Sequence, residues 1–276
     1  MTDARRAAVC GKPIAHSLSP VIHSAGFAAT GLLNWTYTAI ECAEAELPDL
    51  VGGLGPEWAG LSLTMPLKEI GLQVASSATP AASAIGAANT LVRRPDGSWH
   101  ADNTDIVGMI RVLRDAGVQT SPRFTVLGGG GTARAALAAA AALGTSVVTV
   151  VTRRPAAVAE LASAAAALDV RLEGVPWSDA PETFDTDVVI STVPKGAADL
   201  VGTHASWRPG TVVFDAIYDP WPTPLAAAAA AQGCTIVSGL DLLLAQALGQ
   251  FEQFTGIQPA PEAAMRSALV AAASVG

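Results

Sequence analysis

The chain has 276 residues, of which 50% are hydrophobic and 14% charged, with a net charge of −8. At about 150 residues per domain this length suggests two domains, and the apolar fraction suffices for two buried cores and argues against disorder. The negative balance disfavours nucleic acid as a partner, so an anionic substrate must be met by local basic or hydroxyl groups.

In chain order, Ala7 to Cys10 reads as a short strand that ends at Gly11-Lys12-Pro13. Ser19 or Pro20 starts a helix that runs to about Thr30 and stops at Gly31. Ser19 ahead of Pro20 reads first as a helix N-cap, although Ser17 and Ser19 together also suit a carboxylate or a polyol. Trp35 to Ile40 alternates like a strand. Glu44 to Gly52 is helical in pattern, with Pro48 kinking or breaking it. Ala59 to Met65 forms a strand closed by Pro66, with Ser62 and Thr64 on one face. Lys68 then falls at a helix start, where the dipole disfavours a cation; that misplaced charge hints at function. Lys68 to Ser76 and Pro80 to Ile85 are short helices. Asn89 to Arg93 and the stretch from Ser98 onward make a hairpin around Asp96-Gly97. Thr104 to Ala116 is helical and ends at Gly117. Asp105 in its first turn suits the dipole whatever its function.

Phe124 to Arg154 reads as strand, glycine turn, helix, strand and paired arginines. Phe124-Thr125-Val126-Leu127 leads into Gly128-Gly129-Gly130-Gly131-Thr132-Ala133. This fits G-x-G-x-x-G/A with Gly128, Gly130 and Ala133 in the three key slots: a tight turn, room for a pyrophosphate, and close helix–strand packing. The following helix offers free N–H groups and a positive dipole end to phosphates. Val147 to Val151 is the second strand. Its end carries Thr152-Arg153-Arg154, with no carboxylate before Glu160. A carboxylate there would accept from a ribose 2′-hydroxyl, whereas guanidinium groups pair with a 2′-phosphate; the sequence favours NADP over NAD. The same run is also compatible with an α/β domain whose switch point holds nothing.

Residues 135–152 carry no charge, which raises a membrane span; helix followed by strand explains them better. Later strands are Asp187 to Ser191 and Val212 to Asp215, and the dinucleotide-type domain ends near Val237. Leu240 to Gly256 and Pro261 to Ala273 are helices expected to pack back on the first domain. The expected fold is α/β: two open α/β domains, the second of Rossmann type, with a cleft between them. Residues 1–104 plus 240–276 form the substrate domain, and 105–239 the NADP-binding domain. Cys10, Cys42 and Cys234 fit no metal or redox spacing, and the four histidines show no ligand pattern, so no metal is expected. Reduced thiols and the lack of a signal-peptide pattern after Met1 point to the cytoplasm.

Several segments, taken together, resemble the shikimate dehydrogenase family along the whole chain. They are Gly11 to Pro20, Leu63-Thr64-Met65-Pro66-Leu67-Lys68, Gly86 to Leu91, Asp102-Asn103-Thr104-Asp105, Gly128 to Ala133, Asp215 to Pro220, and Gly239 through Gln246. The resemblance implies NADPH-dependent reduction of 3-dehydroshikimate to shikimate, a small-molecule substrate with no membrane partner, and a monomer or homodimer. It implies Lys68 and Asp105 as the catalytic pair, with Ser17 and Ser19 on the substrate carboxylate. Thr64, Asn89 and Gln246 would hold ring hydroxyls. Tyr218, Ile217 and Gly239 would line the nicotinamide side, with Tyr218 also toward substrate. Gly128, Gly129, Gly130, Gly131, Thr132 and Ala133 would cradle the pyrophosphate. Arg153 would meet the 2′-phosphate, with Thr152 and Arg154 beside it and Arg134 near the adenosine. The family commonly has Asn where this chain has Ser62, which puts one hydrogen bond in question. Two alternatives stay open: a quinate/shikimate dehydrogenase using NAD, and a non-catalytic NADP- or shikimate-binding regulator. The regulator would be expected to have lost Lys68 or Asp105.

Overall fold

The computed structural model describes residues 4–121 and 123–274. It divides into two compact units: residues through Thr104 together with those from Leu243 onward, and Asp105–Leu242.

The first unit opens with β1 (Arg5–Gly11), α1 (Ser19–Ala29) and β2 (Trp35–Glu41). It continues with α2 (Leu47–Gly53), β3 (Trp58–Leu63), α3 (Lys68–Val74), β4 (Ser77–Ala78), α4 (Pro80–Ile85), β5 (Thr90–Arg93) and β6 (Trp99–Asp102). The sheet order is β2-β1-β3-β5-β6-β4. β1 lies parallel to β2 and β3, while β5 is antiparallel to both β3 and β6. β3 is buried along its whole length, and β1 from Ala7 to Gly11, as central strands covered on both faces must be. This mixed pairing decides where the chemistry falls. The C-terminal ends of β1, β3 and β6 and the N-terminal end of β5 all meet one edge of the sheet.

Pro48 breaks the helix expected over Glu44 to Gly52: a 3₁₀ turn covers Glu44–Glu46, and α2 restarts with Pro48 in its first turn, where a missing N–H does no harm.

The second unit holds most of α5 (Thr104–Asp115), then β7 (Phe124–Leu127), α6 (Gly131–Ala142), β8 (Val147–Thr152), α7 (Ala156–Ala167), β9 (Arg171–Pro176), β10 (Val188–Ser191), α8 (Asp199–His204), β11 (Val212–Asp215), α9 (Pro224–Ala231) and β12 (Thr235–Ser238). Its strands are all parallel, in the order β12-β11-β10-β7-β8-β9. The chain winds outward from β7 in both directions, which puts a topological switch point beside it. The uncharged 135–152 stretch is the end of α6 followed by β8. Among the described residues no helix is long and apolar enough to cross a membrane.

Two helices complete the chain, α10 (Gly239–Thr255) and α11 (Glu262–Ala273). Both return to the first unit: α11 packs on α1, and α10 sets Phe251 against Gly26 and Phe254 against Gly60. A Cβ at Gly26 would lie 2.8 Å from the Phe251 ring, so that glycine is what lets α1 and α10 approach. The division between units falls at Leu242/Leu243, inside α10, and not at residue 240.

Candidate active site

Main-chain bonds knit the polar edge of the first unit together. Thr64 N–H donates to the Cys10 carbonyl at 2.9 Å and Lys12 N–H to that of Met65 at 2.9 Å, tying the end of β1 to the end of β3. Leu63 N–H donates to the Asn89 carbonyl, and Ala88 N–H to the Lys68 carbonyl, each at 2.7 Å. Thr64 and Lys68 are thereby brought to Asn89 by backbone bonds, although Asn89 is far from both in sequence. Lys68 is the first residue of α3 and is half-buried.

The N-cap reading of Ser19 is corrected by the structure. Leu18 occupies that position in a helical conformation with no side-chain cap, and Ser19 is the first helical residue. The Ser17 hydroxyl instead accepts from Ser19 N–H at 3.3 Å. Helix capping therefore does not account for the Ser19 side chain.

Asn89 is held from several sides at this edge. Its Oδ1 accepts from Thr104 N–H at 2.8 Å and from the Thr90 hydroxyl at 2.7 Å. It thus satisfies the first N–H of α5, which a helix start leaves without an internal partner. A backbone N–H can only donate, so the amide orientation is determined: Nδ2 turns toward the Thr104 hydroxyl at 3.1 Å and Gln246 Oε1 at 3.5 Å. Gln246 is oriented by the same logic, because its Nε2 donates to the Leu243 carbonyl at 2.7 Å. One amide shows a donor and the other an acceptor, a pairing suited to a hydroxyl, which both accepts and donates.

The two aspartates of Asp102-Asn103-Thr104-Asp105 differ. Asp102 Oδ1 accepts from the Thr79 hydroxyl and Asn103 N–H, both at 2.7 Å, and Oδ2 from Gln253 Nε2 at 2.7 Å; this carboxylate ties β6 to α10. Asp105 is buried in the first turn of α5.

In the second unit, Gly128 adopts φ +110°, and a Cβ there would lie 2.5 Å from the Thr192 hydroxyl. A Cβ on Gly129 would lie 2.8 Å from that of Ala157 on α7, whereas one on Gly130 would meet nothing within 4 Å. The first two glycines are thus required by the fold, and the third leaves open space at the start of α6. Ala133 is fully buried, and Gly130, at the N-cap, offers no side-chain cap to the helix amides. Gly131 and Thr132 form the first turn. The open approach and a helix start without a capping side chain at Gly130 fit a dinucleotide pyrophosphate.

At the end of β8 the Thr152 hydroxyl donates to the Arg154 carbonyl at 2.7 Å, shaping the turn. Arg134 is largely buried, and its Nη2 donates to the Glu160 carbonyl on α7 at 3.0 Å, a tie between α6 and α7. Arg153 is exposed. At the end of β11, buried Asp215 accepts from Ile217 N–H at 3.2 Å and the Thr223 hydroxyl at 2.7 Å. Burial pushes its carboxyl up, partly offset by those bonds. It fixes the loop that carries Ile217 and Tyr218, whose phenol is also pushed up by burial and by Asp219. A Cβ on Gly239 would run into the Ala216 carbonyl, so α10 starts in contact with that loop.

Motif reading passed over Gln250, Tyr37 and the Thr104 hydroxyl. Gln246 and Gln250 are four residues apart on α10, which puts both amides on one helix face. That spacing was the available signal.

A Rossmann-type unit with an open glycine turn at its switch point, and an α/β unit whose sheet edge carries a lysine and a set of hydroxyl and amide groups, define a nicotinamide-dependent oxidoreductase for a small polar substrate. Residues 9–91 match the shikimate dehydrogenase substrate binding domain and residues 239–270 the shikimate 5′-dehydrogenase C-terminal domain. The NADP(+) shikimate dehydrogenase of Maricaulis maris is 37% identical over 96% of this chain and 95% of its own. The chain belongs to the shikimate dehydrogenase family. Among solved structures, Mycobacterium tuberculosis shikimate dehydrogenase superposes with a TM-score of 0.88 at 45% identity, covering 97% of this chain and 99% of that one. The Thermus thermophilus shikimate 5-dehydrogenase, solved with NADP(H) and shikimate, gives 0.83 at 28% identity over 97% and 99%.

Proposed function

We propose that the chain catalyses the reversible, NADPH-dependent reduction of 3-dehydroshikimate to shikimate, a step toward aromatic amino acids. The observation that carries this reading is the convergence of Lys68, Thr64, Asn89 and Gln246 on one sheet edge, with both amides held in fixed orientations. The first unit takes the substrate, and the second takes NADP(H).

NADPH, when bound, would supply the hydride. The oxygen of the reduced carbonyl gains negative charge as the C–H bond forms, and the Lys68 ammonium stabilises that charge and delivers the proton. Asp105 partners the lysine and a substrate hydroxyl. Ser17 and Ser19 donate to the carboxylate, which suits a chain with no arginine in that loop. Thr64, Asn89 and Gln246 hold ring hydroxyls. The Gly128–Ala133 turn holds the pyrophosphate, and Arg153 pairs with the 2′-phosphate beside Thr152 and Arg154. Ile217, Tyr218 and Gly239 border the nicotinamide. Free thiols at Cys10, Cys42 and Cys234 accord with a cytoplasmic setting.

The test is nicotinamide reduction followed with shikimate and with quinate, each with NADP and with NAD. Strong turnover confined to shikimate with NADP is expected. Preference for quinate with NAD would assign the chain to the quinate reaction. NADPH binding with no turnover of either acid would make it a binding protein.

A further inference from the structure

A second set of buried polar groups lies behind Asn89, and none of it belongs to the machinery assigned above. The Tyr37 hydroxyl donates to Ser62 Oγ at 2.6 Å, and Ser62 Oγ donates to Gln250 Oε1 at 2.7 Å. Gln250 Nε2 donates to the Asn89 carbonyl and to Thr90 Oγ1, each at 3.1 Å. The Thr90 hydroxyl passes its own proton to Asn89 Oδ1 at 2.7 Å. All five residues are buried.

The direction of every bond follows from two groups that have no choice. Thr104 N–H can only donate, so Asn89 Oδ1 faces it and Thr90 must spend its proton there. The Asn89 carbonyl can only accept, so Gln250 presents Nε2 to it and Oε1 to Ser62. Ser62 has a single proton, which goes to Gln250, so it accepts from Tyr37. The chain therefore runs one way, from Tyr37 to Asn89. Reversing a link would set two acceptors or two donors against each other in a buried place.

We propose that Ser62 and Gln250 are positioning residues that brace Asn89 through its carbonyl and through Thr90, reinforcing the side-chain orientation that Thr104 N–H sets, Tyr37 merely satisfying the acceptor side of Ser62. This rests on the reading of Asn89 as a ring-hydroxyl ligand. The short Ser62 side chain bridges the Tyr37 phenol and the Gln250 amide, bonded to both.

The test compares Ser62→Ala, Gln250→Leu and Tyr37→Phe in the full-length protein. Ser62→Ala and Gln250→Leu should raise KM for shikimate about tenfold, the loss of one oriented hydrogen bond. KM for NADP should hold, and kcat should move less than threefold. Tyr37→Phe leaves the Ser62 proton on Gln250, so KM should stay within twofold whatever happens to Tm. The Asn89 side-chain amide resonance, assigned by its loss in Asn89→Asp, should shift in the first two variants and hardly in the third. That readout needs no turnover, so it decides the inference even if shikimate proves not to be the substrate. An unmoved resonance in Ser62→Ala and Gln250→Leu would overturn it. So would a Tyr37→Phe variant as impaired as the other two.

Discussion

Arg154 donates to both oxygens of Glu160, from Nη1 at 3.2 Å and Nη2 at 2.9 Å. Of the two adjacent arginines at the end of β8, one is thus engaged by a carboxylate, while Arg153 is exposed and makes no ion pair among the described residues. The end of β8 carries no carboxylate of the kind an NAD-selecting site would direct at the ribose; Glu160 comes from α7.

Arg153→Ala should therefore weaken NADPH about ten- to a hundredfold, the worth of a charged hydrogen bond, and leave NADH unchanged. Arg154→Ala should cost only a few-fold. Fluorescence titration of both cofactors against both variants checks this. Equal loss of NADPH and NADH in Arg153→Ala would count against a role in selecting the phosphate.

The glycines of the turn separate folding from binding. Gly128 has φ +110° and no room for a Cβ beside Thr192, so Gly128→Ala should destabilise the protein by about 2 kcal/mol or more. Gly130 has φ −91° and ψ −167° and open space around it. Gly130→Ala should keep its stability within about 0.5 kcal/mol while losing at least tenfold in NADPH affinity, because the methyl occupies the pyrophosphate's approach. Denaturant melts and cofactor titrations on the two variants would expose any failure of this split.

What could be read from sequence was what leaves a local signature. The β-branched runs of β7 and β8, the glycine turn between them and the hydroxyl-rich loops were all visible. β9 was not: it is an edge strand carrying Gly174 and Pro176, exposed or half-exposed throughout, and so without the apolar alternation of a half-buried strand. β4, only two residues long, and the edge strand β12 went unread. The Tyr37–Ser62–Gln250 chain was out of reach for a different reason. Its partners are 25 and 188 residues apart, and no local pattern encodes a contact across that separation. Ser19 misled because Ser-Pro is a good cap pattern, and only the helical conformation of Leu18 shows that the helix begins without it.

Lys68→Met should lower kcat by roughly 10²–10⁴-fold, the usual worth of a positioned acid–base group, with KM for shikimate changed much less. Removing the Asp105 charge in Asp105→Asn should act in the same direction. Far-ultraviolet dichroism and Tm would establish that each variant is folded. A folded Lys68→Met enzyme with near-normal kcat would remove the lysine from the mechanism.

His23 gives the acid limb of stability a definite cause. It is fully buried and stacked on Tyr37, with ring centroids 4.1 Å apart. Desolvation pushes its imidazole down to about 3, against a smaller opposing pull from the Gln250 amide. The folded protein keeps His23 neutral down to that pH, whereas an unfolded chain protonates it near 6.5. Between those values the unfolded state binds one more proton, so this contribution is fully present above about 6.5 and is lost as the pH falls toward about 3. At about 1.4 kcal/mol per pH unit, the fall from pH 6.5 to 5 should be roughly 1.5–2 kcal/mol, before most carboxylates titrate. Urea unfolding at several pH values should show that slope in the native protein and its absence in His23→Leu, whatever the variant's overall stability. An identical slope in both would place the acid sensitivity elsewhere in the chain.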